Sequence, residues 1–165
     1  MSNEVKKGKL FYVICDNIRS RYNVGSIFRT ADGAGVDRIF LCGITPAPPH
    51  PKIEKVSLGA EKTMPWEKCR QVWRVIEKLK KDGFFILALE NKIKNAENIF
   101  NFSERQNKIA LIIGSEVSGI SPVTIKRCDK IVYISMCGKK ESLNVAVAFG
   151  IAAYQINLKN KKYEF

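Results

Sequence analysis

The chain has 165 residues, 45% of them hydrophobic, so it is long enough to form one domain around an apolar core. Lysine and arginine outnumber aspartate and glutamate by 28 to 16, and the formal charge of +12 favours a polyanionic partner. A single histidine, with cysteines that form no C-x-x-C pair, argues against a zinc site and against hydrolases that use Ser-His-Asp or Cys-His groups.

Five short apolar runs rich in β-branched residues predict buried strands. In chain order they are Leu10–Cys15, Arg38–Cys42, Phe84–Leu89, Ile109–Ile113 and Lys130–Ile134. Helical patterns lie between them. This alternation predicts an α/β domain with a mainly parallel sheet flanked by helices.

Apolar residues at helical spacing predict the first two long helices. Residues 24–31 follow the i, i+3, i+4, i+7 pattern, and Asn23 precedes them as the expected N-cap. A second pattern spans 69–79, with Pro65 near its start and Gly83 past its end.

Two further helices are predicted in the C-terminal part. Ser121 and Pro122 are the expected N-cap and first residue of a short helix that ends at Arg127. Ser142 is the expected N-cap of the last helix, which carries no charge between Asn144 and Ile156.

The last helix is apolar or small on every face, so one sheet cannot cover all of it. We expect Val145, Val147, Phe149 and Ile151 to belong to the core. We also expect a second subunit to pack against this helix, since small residues would allow its close approach. These residues are Ala146, Gly150 and Ala153.

The start of the chain and its cysteines favour a cytoplasmic protein. The opening MSNEVKKGKLFYVIC has too short an apolar part for a signal peptide, and no apolar run has the length of a membrane span. The cysteines lie mostly in apolar runs and are expected to be buried, reduced thiols. They are Cys15, Cys42, Cys69, Cys128 and Cys137. We therefore expect neither a membrane nor a metal as a partner.

Polar segments follow the predicted strands. They read DNIRSRYN, GITPAPPHP, ENK, GSEVSGIS and MCGKKESLN in chain order. In parallel sheets ligands bind outside the carboxyl ends of the strands, so we expect the chemistry to converge on one edge of the sheet.

Three motifs within these segments are candidates for the site. YNVGSIFRTADGAGV places Asn23 and Arg29 near one end of a helix, with Arg19 and Arg21 just upstream for phosphate binding. Taken alone, this motif is explained more simply by a capping residue and a solvated arginine. IIGSEVSGIS lacks the residues of a P-loop and of G-x-G-x-x-G. It is either a glycine turn or a backbone cradle with Glu116 as a hydrogen-bond acceptor.

The third motif, ISMCGKKESLN, combines a glycine-containing loop with a helix start. Besides a simple loop and cap, it offers free N–H groups for a polar or anionic ligand. Lys139 and Lys140 have long, flexible side chains, so we expect at most contacts with backbone phosphates from them.

In order and spacing, the three motifs resemble those of the SpoU/TrmH family of RNA ribose methyltransferases, part of the SPOUT superfamily. The resemblance runs from about Phe11 to Ile156, and S-L-N followed by alternating valine and small residues is its most specific part. It implies methyl transfer from S-adenosylmethionine to a ribose 2′-hydroxyl of RNA. It also implies a C-terminal deep trefoil knot, which pattern arguments alone would not suggest. Members of the family are homodimers with the active site near the subunit interface.

By motif position, the resemblance assigns roles to individual residues. The implied catalytic residues are Asn23, Arg29, Glu116, Ser142 and Asn144. The implied cofactor-binding residues are Leu89, Glu90, Gly114, Ile134, Met136, Gly138, Ser142 and Leu143. The implied RNA-binding residues are Arg19, Arg21, Arg29, Lys139 and Lys140. Arg29 is the family's proposed base, but a guanidinium stays protonated in proteins, so we expect an electrostatic and phosphate-holding role.

Residues 1–165 are expected to be a single methyltransferase domain, because only about nine residues precede the first strand and leave no room for a separate N-terminal RNA-binding domain. Its charge then predicts strongly salt-dependent RNA binding. Candidate contributors at the two ends are Lys6, Lys7, Lys9, Lys159, Lys161 and Lys162. Short relatives imply tRNA rather than rRNA as the substrate.

Two alternatives remain at the level of sequence. One is a non-catalytic RNA-binding protein of the same fold, which the intact motif residues argue against. The other is a nucleotide-dependent oxidoreductase of the Rossmann type, which lacks its glycine fingerprint here.

Overall fold

A single parallel sheet forms the centre of the molecule. The computed structural model describes residues 9–160 except Lys92 and Glu104, and for 158–160 it describes the backbone alone. The strands are β1 (Leu10–Asp16), β2 (Arg38–Cys42), β3 (Trp66–Cys69), β4 (Phe85–Leu89), β5 (Glu97–Asn98), β6 (Lys108–Ile113) and β7 (Lys130–Tyr133). They pair in parallel in the order β3-β2-β1-β6-β4-β7-β5.

Helices cover both faces of this sheet. They are α1 (Arg21–Gly33), α2 (Pro51–Ser57), α3 (Ala60–Thr63), α4 (Val72–Lys81), α5 (Pro122–Ile125) and α6 (Val145–Asn160). Helices α1 and α6 pack with Val13 and Leu111 on one face, whereas α4 packs with Ile14 and Ile112 on the other. The central strands are therefore buried on both sides, which explains why their sequences are continuous apolar runs. The predicted fold class is confirmed.

The five predicted strands are confirmed to within one residue at each end, but β3 and β5 were not predicted. Strand β3 has the sequence WEKC and lies at the sheet edge, with its two central residues exposed. It carries no apolar run because Glu67 and Lys68 point to opposite faces of this edge strand and are both exposed. The helix predicted from Cys69 begins at Val72 instead, since Cys69 pairs with Cys42 in the sheet.

Two of the predicted helix caps are wrong. The N-cap of α1 is Ser20, whose Oγ accepts a hydrogen bond from the Asn23 N–H at 3.2 Å, so Asn23 lies inside the first turn. The first turn of α1 is polar, and the apolar pattern therefore starts later than the helix does. At α6, Asn144 and not Ser142 is the capping residue, because its Oδ1 accepts from the N–H groups of Ala146 at 2.9 Å and Val147 at 3.3 Å.

The cap of α5 is as predicted, although the helix ends earlier. Ser121 accepts from the Thr124 N–H, and Pro122 is the first residue. The short helices α2 and α3 were not predicted. Helix α2 packs closely on α1, where a Cβ on Gly25 would lie 2.6 Å from the carbonyl oxygen of Ile53. This glycine of the first motif therefore serves helix packing.

Helix α6 is buried on one side only. Phe149, Ala153 and Ile156 are in the core, whereas Val147 is 53% exposed and Tyr154 is 44% exposed. The expectation that Val147 belongs to the core is wrong, because it lies on the side of α6 that faces away from the sheet. The trefoil knot stays a prediction.

The thiols are free, and their burial differs. Cys15 and Cys42 are buried, and this burial raises the pKa of both thiols. Burial likewise raises the pKa of Cys128 to about 12. Cys137 is exposed in the loop after β7, so the prediction of buried thiols is wrong there.

Other expectations concern membranes, metals and the ends of the chain. Within the described residues, no helix is both long and apolar enough to cross a bilayer. The same part of the chain contains no group of three or more His, Cys, Asp or Glu side chains placed to hold a metal ion. Lys6, Lys7, Lys161 and Lys162 lie outside the described residues, as does the side chain of Lys159.

Candidate active site

A cavity of about 580 Å³ opens at the carboxyl edge of the sheet. Its walls come from the loops after β4, β6 and β7, and from the start of α6. Many residues singled out from the sequence line it: Leu89, Glu90, Gly114, Glu116, Ile134, Ser142, Leu143 and Asn144. These positions are far apart in the chain, and the parallel order of the strands brings them together.

Hydrogen bonds join all three motifs at the mouth of this cavity. The Asn23 side chain donates from Nδ2 to Oε1 of Glu116 at 2.8 Å. Its Oδ1 accepts from Nδ2 of Asn144 at 3.1 Å. Asn144 in turn caps α6 through its own Oδ1. Glu116, Asn23 and Asn144 therefore form one connected amide–carboxylate chain, which fixes the loop after β6 relative to two helix starts.

Glu116 is held as a carboxylate. Burial opposes its ionisation, but hydrogen bonds from the Arg19 N–H at 2.9 Å, the Asn23 amide and the Ser20 N–H at 3.1 Å outweigh burial and lower the pKa of Glu116. A carboxylate with its oxygens already occupied by donors and its pKa lowered is a weak proton acceptor. Its geometry suits positioning better than acid–base chemistry.

The wall after β6 depends on a close backbone approach at Gly114. A Cβ there would lie 2.6 Å from the carbonyl carbon of Gly119 and from the nitrogen of Ile120. The Ile120 N–H also donates to Oε2 of Glu90 at 2.9 Å, so β4 and this loop hold each other. The glycine of the second motif therefore allows the loop to fold back over the end of β6.

Sequence reasoning missed Asn91, which organises the loop after β7. Its side chain donates to the carbonyl oxygens of Ile134 at 3.4 Å and Glu141 at 3.3 Å, and it accepts from the Ile134 N–H at 3.3 Å. The signal was present, since Asn91 directly follows a buried strand in the segment ENK. It was weak because a short polar segment after a strand is also an ordinary turn.

Some predicted site residues lie outside the cavity wall. Met136 and Gly138 belong to the loop after β7 but do not line the cavity. Arg29 is exposed on α1, past the first turn, and no described residue forms an ion pair with it. The side chains of the other predicted RNA contacts are exposed near the cavity mouth or in its loop. These are Arg19, Arg21, Lys139 and Lys140.

The cavity can hold a small molecule that has both apolar and polar parts. Its volume lies within the usual range for small-molecule sites. Leu89, Ile134 and Leu143 supply apolar wall, and backbone from three loops supplies hydrogen-bonding groups. An exposed polar rim next to this cavity leaves room for a second, larger ligand.

The chain matches a family model over most of its length. The model is that of the SpoU rRNA methylase family, and it covers residues 10–154. A Staphylococcus aureus (strain COL) protein assigned to the TrmH family of tRNA/rRNA methyltransferases is 32% identical over 92% of this chain and 60% of its own length. The 23S rRNA (guanosine-2′-O-)-methyltransferase RlmB of Blochmanniella floridana is 32% identical over 92% of this chain and 58% of its own length. This chain thus spans only about 60% of these relatives.

Solved structures agree with this match. The SpoU methyltransferase AviRb of Streptomyces viridochromogenes, crystallised with its cofactor AdoMet (S-adenosylmethionine), superposes with a TM-score of 0.84 at 25% identity. The superposition covers 93% of this chain and 61% of AviRb.

Proposed function

The chain belongs to the SpoU rRNA methylase family, and we propose that it transfers the methyl group of S-adenosylmethionine to a ribose 2′-hydroxyl of a structured RNA. The observation that carries the proposal is the chain of hydrogen bonds from Glu116 through Asn23 to Asn144 at the mouth of the cavity. It joins all three motifs of the family resemblance beside a cofactor-sized space.

The residues present fit S-adenosylmethionine. The apolar side chains of Leu89, Ile134 and Leu143 suit an adenine ring, and the backbone of the three loops suits the ribose and the amino-acid end. Gly114 also contributes to the cofactor site, because its lack of a side chain lets the backbone of Gly119 and Ile120 pack closely against it beside the cavity. AviRb, with the same fold, was crystallised with this cofactor.

When bound, the cofactor would supply a methyl carbon activated by its sulfonium. The bond from this carbon to sulfur would break as the ribose oxygen bonds to the carbon, and the hydroxyl proton would pass to solvent or a nearby acceptor. The chain's own task is alignment of that oxygen. Ser142 and Asn144 lie at the cavity rim and are proposed to position the ribose. Glu116 acts through Asn23 as a positioning residue, since its lowered pKa makes it a poor base.

Arg29 is proposed to bind the phosphate of the target nucleotide and to stabilise negative charge on the attacking oxygen. Its exposure and the lack of an ion-pair partner among the described residues leave its guanidinium available to an incoming RNA. Arg19, Arg21, Lys139 and Lys140 would add phosphate contacts around the same mouth.

Of the two RNA classes in the relatives' names, we favour tRNA, which the name of the Staphylococcus aureus relative includes; rRNA is the alternative. We also propose a homodimer. Helix α6 exposes Val147 and Tyr154, and α1 exposes Tyr22, so an apolar surface is left uncovered in a single chain.

Two measurements test the proposal. Isothermal titration calorimetry should detect S-adenosylmethionine binding, and ribose-methylation mapping of tRNA and rRNA from cells with and without the protein should identify a site that depends on it. A protein that binds the cofactor but methylates a base would contradict the 2′-hydroxyl assignment. Binding of a nicotinamide cofactor instead would contradict the assignment of the cavity to S-adenosylmethionine.

A further inference from the structure

A second, strongly basic groove lies away from the cavity just described. It occupies about 370 Å³ between the edge strand β3 and helix α4, on the sheet face opposite α1 and α6. Phe40 and Val75 form its apolar floor, and Arg70, Arg74 and Lys78 stand along its rim. None of the residues implied by the family resemblance lies in it.

The rim charges are available to a ligand. Within the described part of the chain, no carboxylate forms an ion pair with Arg70, Arg74 or Lys78. The nearby Glu67 lies 3.8 Å from Arg38, which offsets its charge. Lys68 also lines the groove, but it is less available to a ligand, because its ammonium donates to the carbonyl oxygens of Gly43 at 2.6 Å and Thr45 at 2.5 Å.

Two further features suit an anion there. The guanidinium of Arg74 lies 5.2 Å from the centre of the Trp73 ring, and this contact limits its freedom before any ligand arrives. Helix α4 starts in the groove with no acidic residue in its first turn and with no side-chain hydrogen bond from its N-cap, Gln71. Its positive dipole end therefore adds to the three side-chain charges.

The groove and the methyl-transfer cavity lie on the same edge of the sheet. The backbone N–H of Arg19 donates to Glu116 at 2.9 Å, beside the cavity. Towards the groove, the Asn17 N–H donates to the Cys42 carbonyl oxygen at 3.3 Å, and the Gly43 N–H donates to the Cys69 carbonyl oxygen at 3.0 Å. Arg70 directly follows Cys69, so these contacts connect the loops between the two places. Strands β3 and β6 are three neighbours apart in the sheet, or about 15 Å at the usual strand spacing. That span corresponds to a few nucleotide steps along one strand of a nucleic-acid duplex.

We propose that the groove of Arg70, Arg74 and Lys78 binds backbone phosphates of the substrate RNA, a few nucleotides from the ribose that is methylated. This inference rests on the proposed function. Part of the charge of +12 would then serve RNA binding in the groove beside β3, in addition to the basic residues at the cavity mouth.

The test compares Arg70→Ala/Arg74→Ala with Lys81→Ala/Arg105→Ala. The control also removes two positive charges. Its residues are exposed and lie at the end of α4 and before β6, on the side of the sheet where the strands begin. Binding of bulk tRNA and of deproteinised ribosomal RNA is measured by filter binding across a potassium chloride series. The groove variant should bind about tenfold more weakly at 100 mM salt, with a salt slope reduced by about 1.5. The control should stay within about twofold of wild type.

The outcomes separate the two proposals. Cofactor affinity, measured by calorimetry, should be unchanged in the groove variant, and its methylation defect should appear in KM rather than kcat. If both double variants bind RNA equally well, the groove inference is wrong while the methyltransferase proposal stands. If wild type binds neither RNA nor S-adenosylmethionine, the proposed function fails first.

Discussion

The side-chain amide of Asn144 donates to Oδ1 of Asn23 at 3.1 Å, across 121 residues of sequence. The same side chain caps α6 through its other polar atom, which accepts from Ala146 at 2.9 Å. One residue thus ties the start of the last helix to the start of the first helix. Because Asn23 continues to Glu116 at 2.8 Å, a change at Asn144 reaches all three motifs.

Replacing Asn144 with aspartate should separate these two tasks. Asn144→Asp keeps an acceptor for the cap, and its charge suits a helix N-terminus, so the free energy of unfolding should stay within about 1 kcal/mol of wild type. The donor to Asn23 is lost, and two oxygens then face each other. Methyl transfer should fall by roughly 10- to 100-fold through misalignment. Asn144→Ala removes cap and link together, and should lose activity and also about 1 kcal/mol of stability. Wild-type activity in the aspartate variant would show that the link is dispensable.

Gly114 and Gly138 provide a matched pair for the cofactor cavity. A Cβ at Gly114 would lie 2.6 Å from backbone atoms of Gly119 and Ile120, whereas a Cβ at Gly138 meets nothing within 4 Å. Gly114→Ala should therefore displace the cavity wall and weaken S-adenosylmethionine binding by at least roughly tenfold, as for other overpacked sites. Gly138→Ala should bind the cofactor normally in calorimetry. Equal affinities of the two variants would contradict the role of the close approach.

The two missed strands show what apolar patterns omit. Strand β3, WEKC, is exposed at its centre, and its assignment depends on pairing with β2, which local sequence does not encode. The central strands were predictable because both of their faces are buried. The helix that was expected from Cys69 begins three residues later for the same reason, since Cys69 pairs with Cys42 in the sheet instead.

The location of the candidate site could be predicted from the sequence, but its hydrogen bonds could not. The parallel order of strands requires the segments after β4, β6 and β7 to meet, so Glu90, Glu116 and Asn144 could be expected at one edge. Which atoms bond could not be foreseen. Asn144 rather than Ser142 caps α6, because Asn144 directly precedes Val145, the first helical residue, and its Oδ1 reaches the N–H groups of the first turn. Asn91 was overlooked because its partners are backbone atoms of a distant loop.

Glu116 predicts how stability depends on pH. Its pKa in the folded protein lies below the ordinary value of 4.5, since hydrogen bonds to the carboxylate outweigh the effect of burial. The unfolded state then binds the proton more tightly, so this stabilisation is present above about pH 4.5 and is lost as pH falls through the folded pKa. Glu116→Gln places an amide N–H against donors, and should be less stable than wild type at pH 7. Urea unfolding from pH 7 to pH 3 should show this difference shrinking below about pH 4.5; a constant difference would contradict the shift.

The exposed apolar residues of α6 predict how the chain associates. Val147 and Tyr154 are seven residues apart and thus on one side of the helix, with exposures of 53% and 44%. The α1 helix continues this surface, since a Cβ on its Gly33 would lie 3.2 Å from the Tyr154 hydroxyl. Light scattering should show a dimer for wild type and a monomer for Val147→Lys/Tyr154→Lys. Val123→Lys is the control, because Val123 is 65% exposed on α5 elsewhere. A wild-type monomer would remove the dimer proposal.

Replacing Arg29 should slow methyl transfer without weakening cofactor binding. Arg29 is exposed on α1 and outside the cavity wall, so Arg29→Ala should leave the fold and S-adenosylmethionine affinity unchanged. If it stabilises charge on the ribose oxygen, kcat should fall by about 100-fold or more. Arg29→Lys keeps a positive charge but loses the planar fork that binds phosphate through two hydrogen bonds, so it should recover only part of that loss. Circular dichroism and calorimetry on both variants exclude unfolding as the cause. Full activity of the lysine variant would mean that charge alone suffices, and full activity of the alanine variant would remove Arg29 from the mechanism.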